Sequence, residues 1–179
     1  TPMSLMVGIG KGARNGILIK NAEALEQLQK VNVLITDKTG TLTEGKPSLD
    51  EISVVENGDK NQILKLAAAL NQNSEHPLSS AVLTEFKKEN NEFYKVENFE
   101  NISGKGIKGI INGQTVLLGN EALLNHFNIN IPEELKNKVI SKQDEAKTIS
   151  YLSSGDKILG FLSFSDQIKQ TSKQAIEYL

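Results

Sequence analysis

Val31-Asn32-Val33-Leu34-Ile35-Thr36 runs directly into Asp37-Lys38-Thr39-Gly40-Thr41-Leu42-Thr43. The first six residues are β-branched and nearly continuous in apolar character, which predicts a strand buried in a parallel sheet. The run stops at Asp37-Lys38-Thr39-Gly40, a turn signal, so Asp37 stands at the carboxyl end of that strand. In open α/β sheets ligands bind beyond this end, where a side chain is held on rigid scaffold yet reaches solvent. A doubly wound sheet needs further βα units, and the flanking sequence does not supply them. The chain, which begins Thr1-Pro2, therefore reads as an excised segment carrying an incomplete α/β domain.

From Ser48 to Phe164 the pattern changes and reads as a self-contained α+β unit. Ile52, Val54 and Val55 suggest a strand, and Asp59 with Gln62 makes a capping-box pattern ahead of Ile63, Leu66, Ala67 and Leu70 at helical spacing. Pro77 suits a first helical position, which makes His76 the N-cap of a second helix with Leu78, Ala81, Val82 and Phe86 inside. Two hairpins follow, Ile107 to Leu118 about Asn112-Gly113 and Thr148 to Phe164 about Ser154-Gly155-Asp156. Between them Asn120 is placed to cap a short helix, and Pro132 opens a longer one carrying Leu135, Val139 and Ala146. Ala22, Leu25 and Leu28 share a helical face upstream, and residues 170–178 form a last helix. The expected fold is an antiparallel sheet flanked by helices, inserted in an incomplete α/β domain.

The chain has 179 residues, 38% of them hydrophobic, with 20 Lys and Arg against 22 Asp and Glu for a net charge of −2. That is ordinary globular composition. The absence of cysteine excludes a disulfide scaffold, a thiolate nucleophile and a cysteine metal site, and two histidines, His76 and His126, cannot make a His-rich one. Dispersed lysines and a balanced charge argue against a nucleic-acid surface. No apolar run reaches the roughly 18 residues that cross a bilayer.

A carboxylate such as Asp37 can attack phosphorus to give an aspartyl phosphate, and Gly40 with Thr39, Thr41 and Thr43 supplies amides and hydroxyls for phosphoryl oxygens. Nucleophile and phosphate are both anionic, so a Mg²⁺ ion should bridge them. The bland alternative is a turn that Asp37 caps. Glu75-His76 places an imidazole at a helix start beside a carboxylate, where a flat neutral ring suits stacking or hydrogen bonding; a His-Pro at a helix start can equally be structural. Gly104-Lys105-Gly106-Ile107-Lys108-Gly109 fits G-x-G-x-x-G, but an alternating hairpin follows where a dinucleotide fold needs a helix. What survives is a loop whose glycines admit positive φ and close approach of a ligand, or simply a loop before a strand. His126, with no acidic neighbour, reads as a bystander.

The string Asp37 to Thr43 resembles the phosphorylation motif of P-type cation-transporting ATPases. Ser74-Glu75-His76-Pro77-Leu78 resembles the Ser-Glu-His-Pro motif of the heavy-metal (type IB) subfamily. Residues 1–8 and 19–26 are similar to the segment after the metal-binding transmembrane helix in its copper(I) branch. The resemblance spans essentially the whole chain. It implies a membrane-proximal linker at 1–30, the start of a haloacid-dehalogenase-like phosphorylation domain at 31–43, a nucleotide-binding domain at 44–164 and a return into the phosphorylation domain at 165–179. It further implies Asp37 as phosphorylated nucleophile in a loop with Lys38, Thr39, Gly40 and Thr41, and Asp37 and Thr39 as an incomplete Mg²⁺ site. Glu75, His76, Gly104, Gly106, Ile107 and Asn120 would hold ATP, and Asp166, in Asp166-Gln167-Ile168-Lys169, would form a hinge.

On this resemblance the expected function is the ATP-binding and phosphorylation region of a copper(I)-exporting pump, at the cytoplasmic face of a membrane. Its partners are ATP and the pump's transmembrane and actuator domains. The segment itself is expected to be monomeric, to bind ATP and to form negligible phosphoenzyme, because the family's remaining phosphate and Mg²⁺ motifs lie outside it. The rivals are a haloacid-dehalogenase phosphatase with residues 44–164 as cap, a pump for another heavy-metal ion, and a non-catalytic nucleotide sensor. The phosphatase reading expects a second Asp two positions after the nucleophile, where this chain has Thr39.

Overall fold

The computed structural model describes residues 2–28, 30–55, 58–88 and 92–178. Thr1 and Leu179, the ends of the predicted linker and return segments, lie outside the described residues. The chain divides into two compact units, residues 1–37 and 38–179.

In the first unit, α1 (Pro2–Arg14) precedes α2 (Ala22–Leu28). Lys11 and Arg14 in the last turn of α1 suit the negative end of its dipole. Asn21 caps α2, its Oδ1 accepting from the Ala24 amide at 2.7 Å. The helix predicted for Ala22, Leu25 and Leu28 is present. Helix α1 escapes sequence reading because Gly8, Gly10 and Gly12 interrupt its periodicity.

The predicted strand at residues 31–36 is not formed: residues 31–37 have no regular structure, and Ile35 is 92% exposed. The composition suits a buried strand, but a strand's amides and carbonyls are satisfied only by neighbouring strands. None of the described strands pairs with it.

The second unit is built on a six-stranded antiparallel sheet. Its strands are β1 (Thr43–Val54), β2 (Glu97–Ile102), β3 (Gly106–Ile111), β4 (Gln114–Gly119), β5 (Thr148–Ser154) and β6 (Lys157–Ile168), in the order β1-β6-β5-β4-β3-β2. Both predicted hairpins are present, turning at Asn112-Gly113, with φ of +51° and +76°, and at Gly155-Asp156. The long pair β1 and β6 outruns the sequence estimate, carrying the sheet from Thr43 to Ile168. Pro47 is accommodated because β1 is an edge strand with a register shift between Thr43 and Pro47. Strand β2, the other edge, is too polar to signal itself in sequence.

Side-chain alternation sends Ile107, Ile111, Val116 and Leu118 to one face and Leu117 to the other. On the first face lie α3 (Lys60–Asn71) and α4 (Pro77–Lys87), with Ala67, Ala68, Ala69 and Leu70 all fully buried. A helix apolar on every side is one covered on every side. On the second face α5 (Glu121–His126) and α6 (Glu133–Asp144) bury Leu123, Leu124, Leu135 and Val139 against Leu117 and Phe161. Each such side chain contributes roughly 1.5–3 kcal/mol. Helix α6 stops at Asp144, so Ala146, predicted within it, instead makes a turn at φ +58°. Helix α7 (Gln170–Tyr178) ends the described chain.

Candidate functional site

Between the α3–α4 turn and the β3–β4 hairpin lies a cavity of about 300 Å³, walled by His76, Gly104, Lys105, Gly106 and Asn120 over an apolar floor that includes Ile107. That is the lower end of the ligand-sized range, about 300–1,000 Å³. Five predicted binding residues, His76, Gly104, Gly106, Ile107 and Asn120, thus meet from separate elements. Glu75 is exposed and does not line the cavity.

Each wall residue is placed by local chemistry. His76 caps α4: its Nδ1 accepts the Leu78 amide at 3.2 Å, with Pro77 at the first helical position. Because Nδ1 accepts, the neutral ring carries its proton on Nε2. Asn120 caps α5 through Oδ1, accepting the Leu123 amide at 3.1 Å, while its Nδ2 donates to the Gly104 carbonyl at 2.9 Å. One side chain therefore both starts a helix and fixes the glycine loop.

The two glycines differ. A Cβ on Gly104, at φ +71°, would meet nothing within 4 Å, so this backbone faces open space that a ligand can enter. A Cβ on Gly106, at φ +150°, would lie 2.3 Å from the Leu118 carbonyl oxygen and 2.6 Å from the Gly119 Cα. Gly106 is demanded by the contact of β3 with β4, a reason the spacing pattern does not reveal.

Asn71, which sequence reading missed, also lines the cavity. It is 4% exposed, donates to the Ala67 carbonyl at 2.8 Å and accepts from Ser79 Oγ at 2.7 Å. In sequence it is one polar residue at the end of an apolar helix; only burial beside a cavity marks it.

In sequence, the predicted phosphorylation loop runs from the last residue of the first unit into the second. Asp37 is the last residue of the first and is exposed. In the second, Thr39 (φ −77°, ψ 122°) and Gly40 (φ +76°, ψ −18°) have the dihedrals of a type II turn, which requires positive φ at its third residue. Thr41 is exposed. Thr43, 2% exposed, accepts the Gly40 amide at 3.1 Å and donates to Asp166 Oδ2 at 2.6 Å; the Lys38 carbonyl, 3.2 Å away, competes less well for that proton than a carboxylate. Asp166 Oδ1 accepts the Lys46 amide at 3.2 Å, and Lys169 Nζ donates to the Gly40 carbonyl at 2.7 Å. Asp166 and Lys169 thereby tie the chain's exit from the sheet to its entrance. The link Thr43–Asp166 spans 123 residues and had no sequence signal beyond the two motifs.

Lys38 donates to the Ala146 carbonyl at 3.1 Å. That turn is steadied by Lys147, whose ammonium reaches Asp50 at 2.6 Å and Glu145 at 2.9 Å. These hydrogen bonds push Lys147 above the usual lysine range, and the bond to Lys147 is the main cause holding Glu145 below the usual carboxylate range.

Residues 31–179, beginning at the apolar run ahead of Asp37, match the model of haloacid dehalogenase-like hydrolases. The chain belongs to this family. Within the haloacid dehalogenase-like hydrolases its relatives are narrower in kind. It is 41% identical over 179 residues to a copper-transporting P-type ATPase of Rhizobium leguminosarum bv. viciae, covering 100% of this chain and 21% of that protein. It is 40% identical over 179 residues to a silver exporting P-type ATPase of Salmonella typhimurium, covering 100% of this chain and 22% of that one. The chain thus spans about a fifth of the length of the curated relatives it matches.

Among solved structures, a zinc-transporting PIB-type ATPase in its E2.Pi state superposes with a TM-score of 0.66 at 29% identity, over 99% of this chain and 28% of that one. The catalytic domain of a CPx-ATPase shares the fold with a TM-score of 0.66 at 23% identity, over 96% of this chain and 58% of that one. The kinship with heavy-metal P-type ATPases suspected from the motifs holds, as does the fold class of an antiparallel sheet with flanking helices.

Proposed function

We propose that this haloacid dehalogenase-like segment is the ATP-binding and aspartyl-phosphorylation region of a membrane pump for copper(I), lying at the cytoplasmic face. The single observation that carries the reading is the convergence of His76, Gly104, Gly106 and Asn120 on one cavity. Residues 44–164 act as the nucleotide-binding domain, residues 31–43 and 165–179 as parts of the phosphorylation domain, and residues 1–30 as the membrane-proximal linker. Copper is favoured because relatives matched over this whole chain carry it in their names, although others name silver and zinc.

The residues divide the work. The His76 ring, fixed through Nδ1, presents a face to adenine and an Nε2–H donor. Gly104 offers unobstructed backbone to the ribose or phosphates. The γ-phosphoryl passes from ATP to Asp37, a Pγ–O bond to ADP breaking as a carboxylate O–P bond forms. Thr43 and Asp166 fix the turn at residues 38–40 that follows Asp37 in sequence. When bound, Mg²⁺ supplies charge neutralisation at the phosphoryl group, and Asp37 and Thr39 are the candidate donors. Among the described residues no cluster of three or more His, Asp or Glu completes such a site. The segment alone is expected to bind ATP without turnover, with a Kd on the order of 0.1–1 mM, about 4–5.5 kcal/mol. Thr39, where haloacid-dehalogenase phosphatases place an acid/base, favours a lasting aspartyl phosphate over the phosphatase reading.

The test separates His76's two roles. His76→Asn keeps an N-cap acceptor, so stability should stay within about 0.5 kcal/mol, whereas His76→Ala should lose about 1 kcal/mol. Both should weaken ATP binding about tenfold by calorimetry, roughly the worth of one aromatic contact. Unchanged isotherms in both variants would return His76 to a purely structural role.

A further inference from the structure

Lys105 lines the cavity and is, among the described residues that do, the one with a formal charge. Its backbone is fixed on both sides, its amide donating to the Ile102 carbonyl at 3.0 Å and its carbonyl accepting from Asn120 at 2.9 Å. Its ammonium stands 3.2 Å from Nδ1 of His126, the last residue of α5. An ammonium has only donors, so Nδ1 is the acceptor and the neutral His126 ring keeps its proton on Nε2. The ring is itself braced edge-on against Phe127, 5.1 Å between centroids.

Five other lysines of the 38–179 unit are instead neutralised. Lys108, Lys136, Lys138, Lys142 and Lys147 each meet a carboxylate. Lys105 makes no ion pair among the described residues. A neutral acceptor orients an ammonium without cancelling its charge, and it leaves two N–H donors free. An oriented, uncompensated cation carried by a cavity-lining residue, its ammonium held at His126 beside the lining, is suited to the anionic end of a ligand that extends from the cavity.

We propose that Lys105 contacts the phosphate chain of a nucleotide held in this cavity, and that His126 is a positioning residue that holds the ammonium for it. The inference rests on the nucleotide-binding reading and assigns a role to the histidine that sequence reading treated as a bystander. Lys105 supplies affinity for the phosphates, while His76 and the glycine loop supply affinity for the nucleoside.

Calorimetric titration of the whole 179-residue chain with ATP and, separately, adenosine tests it. Lys105→Met should weaken ATP about fivefold and leave adenosine within about twofold. Raising NaCl to about 0.5 M should shrink the ATP advantage of the wild-type chain, since an exposed charge is screened. His126→Ala should weaken ATP about two- to threefold, and His126→Asn, which keeps an acceptor near the Nδ1 position, should recover most of that loss. If Lys105→Met binds ATP as the wild type does, or loses adenosine as severely as ATP, the role of Lys105 is overturned. An unchanged ATP isotherm in His126→Ala overturns the positioning role. A wild-type chain that binds neither ligand overturns the nucleotide reading on which both depend.

Discussion

Alanine at Gly106 is expected to cost the 38–179 unit about 4 kcal/mol, lowering its melting temperature by roughly 8–15 °C. Two causes add. The new Cβ would sit 2.3 Å from the Leu118 carbonyl oxygen and 2.6 Å from the Gly119 Cα, both backbone atoms of β4 that cannot step aside without breaking the β3–β4 ladder. Overpacking of this sort costs about 1–3 kcal/mol. The backbone at φ +150° adds a further penalty of about 1–3 kcal/mol for a residue with a side chain. Gly104→Ala is the control: with nothing within 4 Å of its Cβ, only the φ of +71° is penalised, about 1–2 kcal/mol. Thermal unfolding followed by circular dichroism gives both values. A Gly106→Ala loss no larger than that of Gly104→Ala would show that the strands are not in the register described.

If the proposed function holds, Asp37→Asn in a full-length pump carrying this segment should abolish phosphoenzyme and ion transport, a fall of more than about 10³-fold, the scale on which loss of a covalent nucleophile acts. Asparagine matches aspartate in shape but has no carboxylate oxygen to form an acyl phosphate. Asp37 is not among the cavity-lining residues, so ATP binding should survive the change. On the proposed function, wild-type Asp37 in the 179-residue chain should take up negligible label from γ-labelled ATP and Mg²⁺, because positioning and charge stabilisation dominate phosphoryl transfer. Transport persisting in the asparagine variant, or ready labelling of the wild-type chain, would overturn the assignment of Asp37.

The parts of this molecule legible in sequence are those whose cause is local. His76 and Asn120 could be read as helix caps because a cap depends on two or three neighbouring residues, and Asn112-Gly113 as a turn because its dihedrals fit those residue types. The apolar run at residues 31–36 misled for the converse reason, since strand formation is decided by partners elsewhere. Strand β2 went unseen because Glu97, Asn98 and Glu100 at a sheet edge face solvent and leave no alternating pattern.

At the site, the convergence of His76, Gly104 and Asn120 followed from family motifs, not from periodicity. The distances that make it work are long-range. Thr43 to Asp166 spans 123 residues, Asn71 with Ser79 joins two helices, and Lys105 with His126 joins a loop to a helix end. Each pairs residue types that are unremarkable alone, and proximity alone turns them into a clamp, a cavity wall and an oriented cation.

On the proposed function, ATP occupies the cavity between α4 and the ends of β3 and β4. A heteronuclear NMR titration of the 179-residue chain with ATP tests it most directly. Saturable shifts concentrated at His76, Gly104, Lys105, Gly106 and Asn120 are expected, with a Kd on the order of 0.1–1 mM. Absence of shifts at about ten times that concentration, or shifts confined to the opposite sheet face around Lys108 and Asp156, would contradict it.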